Sequence, residues 1–163
     1  MSNQTMRNMC FCGSGDTFEQ CCKPIIDGIQ PAPTAQTLMR SRYSAYVVVA
    51  SQYLIDSTHI SQRANYSKTD IEAWAKESHW QKLEIIDSKK GLSEDSVGEV
   101  EFKAYYKDSK NILQIHHEKS VFEKENEDWF YVSGIIIPLK TIINRNDTCN
   151  CGSGKKFKKC CER

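Results

Sequence analysis

The chain has 163 residues, of which 39% are hydrophobic and 26% charged, and a formal net charge of +1 at pH 7. That length accommodates one ordinary domain and excludes a large multidomain motor. The chain has no run of 18 apolar residues, so a membrane-spanning helix is excluded.

The small net charge hides an uneven distribution: residues 1–22 sum to −1, residues 23–148 to −2 and residues 149–163 to +4. The first feature in chain order is Cys10-Phe-Cys12-Gly-Ser-Gly-Asp-Thr-Phe-Glu-Gln-Cys21-Cys22. It returns as Cys149-Asn-Cys151-Gly-Ser-Gly-Lys-Lys-Phe-Lys-Lys-Cys160-Cys161, with 8 of 13 positions identical and all 8 cysteines of the chain inside the two copies. Two sets of thiols at one spacing suit two tetrahedral metal sites. Zinc takes four thiolates at about 2.3 Å in a closed structural site. The CxC pair turns two sulfurs towards one ion, and the Gly-Ser-Gly step supplies the reversal, where glycine tolerates φ > 0. A short helical turn then carries Phe18 or Phe157 beneath the metal, ahead of the closing Cys-Cys. Neither copy is large enough for a core of its own, so metal binding supplies most of its folding energy, roughly 10–16 kcal/mol.

A disulfide framework is the alternative. It fits poorly, because residues 1–9 are polar with no apolar signal segment, and the expected cytoplasmic setting keeps thiols reduced. Thiolates also take iron–sulfur clusters, but so compact a four-thiolate set favours zinc. Both segments resemble the SEC-C motif, the zinc-binding tail of the preprotein translocase motor SecA. The match covers the ligand positions, the Gly-Ser-Gly turn and the aromatic. It implies zinc binding and docking on a partner, since the SecA tail is associated with the chaperone SecB and the ribosome. No Walker A sequence accompanies it, so ATPase activity does not carry over.

Residues 23–34 contain Pro24, Gly28, Pro31 and Pro33 and read as a linker. A helix capped by Thr34 follows, with Ala35, Leu38, Met39, Tyr43, Tyr46, Val47 and Ala50 at helical spacing. A shorter helical piece is expected through Tyr53-Leu54-Ile55. Thr69-Asp-Ile-Glu72 reads as a capping box, opening a helix with Ile71, Trp74 and Ala75 on one face. From Trp80 the period changes to two. Strands are expected over 80–88, 97–107, 112–123 and 129–137, and 97–107 places Gly98, Val100, Phe102, Ala104 and Tyr106 on one face. Helices first and an antiparallel meander second define an α+β domain.

The run Leu38-Met39-Arg40-Ser41-Arg42-Tyr43-Ser44-Ala45-Tyr46, the His117-Glu118-x-Ser120-x-Phe122 strand and Trp129-x-Tyr131-x-x-Gly134 resemble the YchJ family. These are small bacterial proteins of unassigned function with SEC-C motifs at both ends. The resemblance, over nearly the whole chain, implies a nuclear-transport-factor-2-like cone of helices packed into a curved antiparallel sheet. The expected organisation is an N-terminal zinc module at 1–23, the cone at 35–138, and a linker with the C-terminal module at 139–163.

Such cones often hold a pocket, lined here by Tyr43, Tyr46, Trp74, Trp80, Phe102, Tyr106, His117 and Trp129, unless these are core aromatics around one hydrogen-bonded histidine. Adjacent strand residues face opposite sides, so His116 and His117 cannot both point inward. His117, if it shares a face with Leu113 and Ile115, is the expected pocket residue; Glu118 then lies with His116, Ser120 and Phe122. His59 and Asp56 are polar candidates from the helical side.

Two functions remain open. One is an adaptor or binding protein whose Lys155, Lys156, Lys158 and Lys159 dock on an acidic protein (a SecB-like chaperone) or a ribosomal partner, with a peptide or small molecule in the cone; a merely solvated lysine face is the alternative for those residues. The other is a cofactor-free enzyme of the isomerase or hydrolase kind. No nucleophile elbow, phosphate loop or second metal cluster favours the enzyme, and the adaptor is the expectation.

Overall fold

The computed structural model describes residues 8–139, 145–149 and 153–160; the expected ligands Cys151 and Cys161 lie outside them. Helices α1 (Lys23–Ile26), α2 (Ala35–Val47), α3 (Ser51–Asp56) and α4 (Lys68–Glu77) precede strands β1 (His79–Lys90), β2 (Val97–Lys107), β3 (Leu113–Glu125) and β4 (Asp128–Ile136). The strands form one antiparallel meander in the order β1-β2-β3-β4. The result is an α+β fold with helices against one face of a curved sheet.

Thr34 caps α2 with extended backbone, its hydroxyl oxygen accepting from the Thr37 N–H at 3.1 Å. The α2 face carrying Ala35, Leu38, Met39 and Tyr43 packs on Val100, Phe102, Ala104, Phe122 and Trp129 of the sheet. Burying a side chain the size of Phe122 contributes about 1.5–3 kcal/mol. The cap of α4 is two residues earlier than the Thr69 box: Ser67 accepts from the Asp70 N–H at 3.3 Å, and the helix begins at Lys68. Ser67 already supplies the extended residue and oxygen that a cap requires.

β2 alternates as its sequence indicates, with Gly98, Val100, Phe102 and Ala104 buried. Its register sets β3, pairing Val100 with Ser120, Phe102 with Glu118 and Ala104 with His116. The even-numbered residues of β3 therefore face the helices. This corrects the expectation for His117. Its ring lies on the outer face, 2.8 Å from Glu101 Oε1, and Leu113, expected inside with it, is 53% exposed.

A bulge explains the spacing Trp129-x-Tyr131-x-x-Gly134. Phe122 pairs with Tyr131 but Val121 pairs with Ser133, so Val132 is an extra residue in β4. The bulge keeps Trp129, Tyr131 and Gly134 on one face across an odd step. A Cβ on Gly134 would lie within 1.8 Å of Glu118 Oε1, so glycine there leaves space for the carboxylate.

The N-terminal cysteine module rests directly on this frame. Cys10, Cys12 and Cys22 are buried and pack with Phe18, Ile26 and Leu83. Arg40 on α2 donates through Nη1 to the Cys12 carbonyl at 2.7 Å, and Ser44 Oγ lies 3.7 Å from Cys10 Sγ.

Candidate functional site

Cys10, Cys12, Cys21 and Cys22 place their sulfurs within 4.8 Å of one another. Cys12 Sγ is 3.7 Å from Cys21 Sγ, which is 3.8 Å from Cys22 Sγ. A tetrahedron with bonds of about 2.3 Å has edges of about 3.8 Å, so the set fits a tetrahedral ion. Gly15, at φ 93°, makes the turn between the two sulfur pairs, a conformation open to glycine. Ser14 Oγ sits 3.2 Å from Cys21 Sγ and orients it.

The electrostatics of the cluster point the same way. Hydrogen bonds from Cys10 and Cys22 hold the Cys12 thiol far below its ordinary value. Burial pushes Cys21 up to about 11, and hydrogen bonds to Cys10 and Cys12 push Cys22 up strongly. Thiols packed this closely cannot all ionise without a compensating cation. The four cysteines are able to hold a metal ion.

In its described residues, 145–149 and 153–160, the C-terminal module repeats this frame. The Cys149 N–H donates to the Lys155 carbonyl at 2.8 Å, as the Cys10 N–H does to Asp16 at 2.8 Å. The Phe157 N–H donates to Asp147 at 2.9 Å, as the Phe18 N–H does to Asn8 at 2.9 Å. Ser153 Oγ lies 3.2 Å from Cys160 Sγ, matching Ser14 and Cys21. Cys149 is buried, while Lys155, Lys156, Lys158 and Lys159 are all exposed.

Between α2, α4 and the sheet lies a cavity of about 210 Å³. Of the expected lining residues, Tyr43, Tyr46, Trp74, Trp80 and Phe102 border it. Tyr106 packs behind it, 5.3 Å from the Trp80 ring and 5.9 Å from Trp74. Trp129 borders a different cavity of about 290 Å³, beside residues 28–32. His59 turns outward to Ser61 and Glu125, and Asp56 accepts from Gln52 Nε2; neither borders the first cavity.

Sequence reasoning missed the polar floor. His116, Glu118, Ser120 and Tyr131 border the cavity, with Arg42 and Tyr66. Glu118 Oε1 accepts from Ser120 Oγ at 2.8 Å and Tyr131 Oη at 2.9 Å, and Glu118 Oε2 is 2.6 Å from His116 Nε2. Burial alone would raise the Glu118 carboxyl, but bonds from His116, Ser120 and Tyr131 outweigh it and hold the group below its ordinary value. Burial pushes Tyr43 up to about 12, so its phenol is a donor at neutral pH. The sequence groups His116, Glu118, Ser120 and Phe122 on one face, and the fully apolar Phe122 is the signal that this face points inward.

The curved sheet with helices on one face, joined to a four-cysteine cluster, defines a SEC-C protein with a nuclear-transport-factor-2-like middle domain. Residues 34–134 match the family model described as "YchJ, middle NTF2-like domain", and residues 6–24 and 145–163 match the SEC-C motif. The chain is similar to a UPF0225 protein of Geobacter sulfurreducens, 42% identical over 160 residues, which cover 96% of this chain and 99% of that one. A UPF0225 protein of Photorhabdus laumondii is 43% identical over 159 residues, with the same coverage of 96% and 99%. Among solved structures, a SEC-C motif containing protein of Rhodopseudomonas palustris matches with a TM-score of 0.73 and 32% identity, covering 79% of this chain and 98% of that one. A SEC-C motif containing protein of Psychrobacter arcticus matches with a TM-score of 0.66 and 35% identity, covering 99% and 97%. The chain belongs to the YchJ-like UPF0225 family. No helix among the described residues is long and apolar enough to cross a membrane.

Proposed function

We propose that this protein is a cytoplasmic zinc-binding adaptor. Each SEC-C module holds one zinc ion through four thiolates: Cys10, Cys12, Cys21 and Cys22 in the first, Cys149, Cys151, Cys160 and Cys161 in the second. The basic second module docks on an acidic surface, either a SecB-like protein or ribosomal RNA, and the central cavity takes a peptide or small molecule.

One observation carries the docking reading. The two modules share their hydrogen-bonded frame, yet Asp16, Thr17, Glu19 and Gln20 of the first become four exposed lysines in the second. Metal binding does not require that change, because none of the four is a ligand. Affinity capture from cytosol, with intact and metal-stripped protein, tests it. The same partner retained by both forms would refute a docking role for the folded zinc module.

A second reading, a cofactor-free isomerase or hydrolase, is favoured by the His116–Glu118 pair beside the cavity. A carboxylate that orients an imidazole is a recurring acid–base arrangement. Turnover that His116→Gln abolishes while ligand binding survives would establish that reading over the adaptor.

A further inference from the structure

The central cavity has a surplus of hydrogen-bond donors. Arg42 is only 5% exposed. Its Nη1 donates to the Leu54 carbonyl at 2.9 Å, Ser57 Oγ at 2.6 Å and Thr58 Oγ1 at 3.3 Å. Its guanidinium carbon lies 4.6 Å from the centre of the Tyr131 ring. No carboxylate pairs with it, and its Nε and Nη2 have no hydrogen-bond partner among the described residues. A buried guanidinium in direct contact with no carboxylate is costly and rare.

Tyr43 repeats the pattern: it is 3% exposed, borders the cavity and makes no hydrogen bond through its phenol among the described residues. Among the described residues, the fully enclosed side-chain polar atom that lacks a partner is Trp129 Nε1, elsewhere in the fold. Arg42 and Tyr43 both border this cavity.

The acceptor side is already satisfied. Both oxygens of Glu118 are engaged by His116, Ser120 and Tyr131. What the cavity lacks is an acceptor for Arg42 and Tyr43. Its walls are aromatic, with Trp74 and Trp80 edge to face at 5.2 Å and Tyr46 at 5.1 Å from Trp74. An inorganic anion would leave those rings without contacts; a flat ring bearing the anion would meet them.

We propose that the cavity binds a small planar carboxylate, an arene or heteroarene acid. Its carboxylate is held by the free Arg42 nitrogens and Tyr43 Oη, and its ring by Tyr46, Trp74 and Trp80. The proposal rests on the reading that the cavity is a ligand site and names the ligand class.

The test is titration of the zinc-loaded full chain with benzoate, benzamide and benzylammonium, followed by amide shifts at Ala104 and His116. Benzoate should bind about tenfold or more tightly than benzamide, the range for one charge-assisted hydrogen bond, and benzylammonium should not compete. Arg42→Gln should erase the preference for benzoate. Because Arg42 also holds the end of α3, Tyr43→Phe is the second variant; it removes no hydrogen bond made among the described residues and should weaken benzoate about threefold or more. Equal binding of all three probes, or unchanged benzoate affinity in both folded variants, would overturn the ligand class alone. If no probe shifts these residues, the cavity is not a site for small ring compounds, and the ligand-site reading falls with it.

Discussion

Arg40 Nη1 donates to the Cys12 carbonyl oxygen at 2.7 Å, tying the long helix of the central domain to the loop that presents the first two sulfurs of the cysteine cluster. Ser44, one turn further along, approaches Cys10 Sγ at 3.7 Å, and Leu83 of β1 packs against the same cluster. The run from Leu38 to Tyr46 thus serves two sites at once. Arg40 and Ser44 face the cysteines, while Arg42, Tyr43 and Tyr46 face the cavity. The cysteine cluster and the central fold are joined through one helix.

That coupling predicts unequal effects of breaking the two modules. Cys10→Ser with Cys22→Ser should lower the thermal stability of the whole domain, because the ion's folding energy is on the order of a domain's entire stability. Arg40→Ala alone should cost about 1–3 kcal/mol, a few degrees in Tm. Cys149→Ser with Cys160→Ser should remove amide protection over 145–160 and leave the strands of the sheet as in wild type. Calorimetry and hydrogen exchange separate these outcomes. Equal loss of global stability from both pairs would show that the C-terminal module is also part of the core.

Metal content gives the second prediction. Protein purified without added metal should carry two zinc ions per chain by elemental analysis, and Cys149→Ser with Cys160→Ser should leave one. A ratio near zero with oxidised thiols would refute the metal reading.

Much of this architecture is readable along the chain, and the exception has a definite cause. The alternation from Gly98 to Tyr106 identifies the inner face of β2 without help. In β3, apolar Leu113 and Ile115 flank His117 and suggest the wrong face. The register places His116, Glu118 and Ser120 opposite Ala104, Phe102 and Val100, and a register cannot be read from one strand. A one-residue slip exchanges the two faces. Glu118 and Ser120 are acceptable inside because they hydrogen-bond to each other and to Tyr131, an arrangement that hydrophobic counting scores as exposed. The clustering of Cys10, Cys12, Cys21 and Cys22, by contrast, is legible because one residue type at one repeated spacing marks it.

Gly134 and Glu118 make the third prediction. A methyl group on Gly134 would occupy the position of Glu118 Oε1, so Gly134→Ala should displace the carboxylate from Ser120 and Tyr131. The cost should be about 1–3 kcal/mol, as for a buried hydrogen-bonded group left unsatisfied. In a Glu118→Ala background the same substitution should cost much less. A double-mutant cycle measures the difference, and strict additivity would refute the steric link.

The same carboxylate predicts acid sensitivity. Its folded-state value is held below the ordinary 4.5, so its stabilising contribution is present above that pH and is lost as pH falls through the folded value. Glu118→Gln should be less stable than wild type at neutral pH, and the gap should narrow below about pH 4.5. The facing groups are His116, Ser120 and Tyr131, with Arg42 and Tyr66 bordering the same cavity. Denaturation midpoints across this range decide it; a gap independent of pH would assign the loss to packing.

The docking proposal makes the last prediction, and it turns on charge rather than fold. Lys155, Lys156, Lys158 and Lys159 are exposed, and none is a metal ligand. Replacing all four by Glu should therefore leave zinc content unchanged while abolishing capture of the partner. Wild-type capture should also weaken as salt rises, since exposed charges are screened over about 8 Å at physiological ionic strength. Nuclease treatment distinguishes the two acidic surfaces: capture that survives it involves an acidic protein, and capture that it removes involves RNA phosphate. The first module supplies the internal control, because it presents Asp16 and Glu19 on the equivalent frame. Transplanting the four lysines onto Asp16, Thr17, Glu19 and Gln20 in the glutamate variant should restore some capture if charge on this frame is sufficient. Undiminished capture by the glutamate variant would reduce the lysines to a solvated face and move the partner site to the cone.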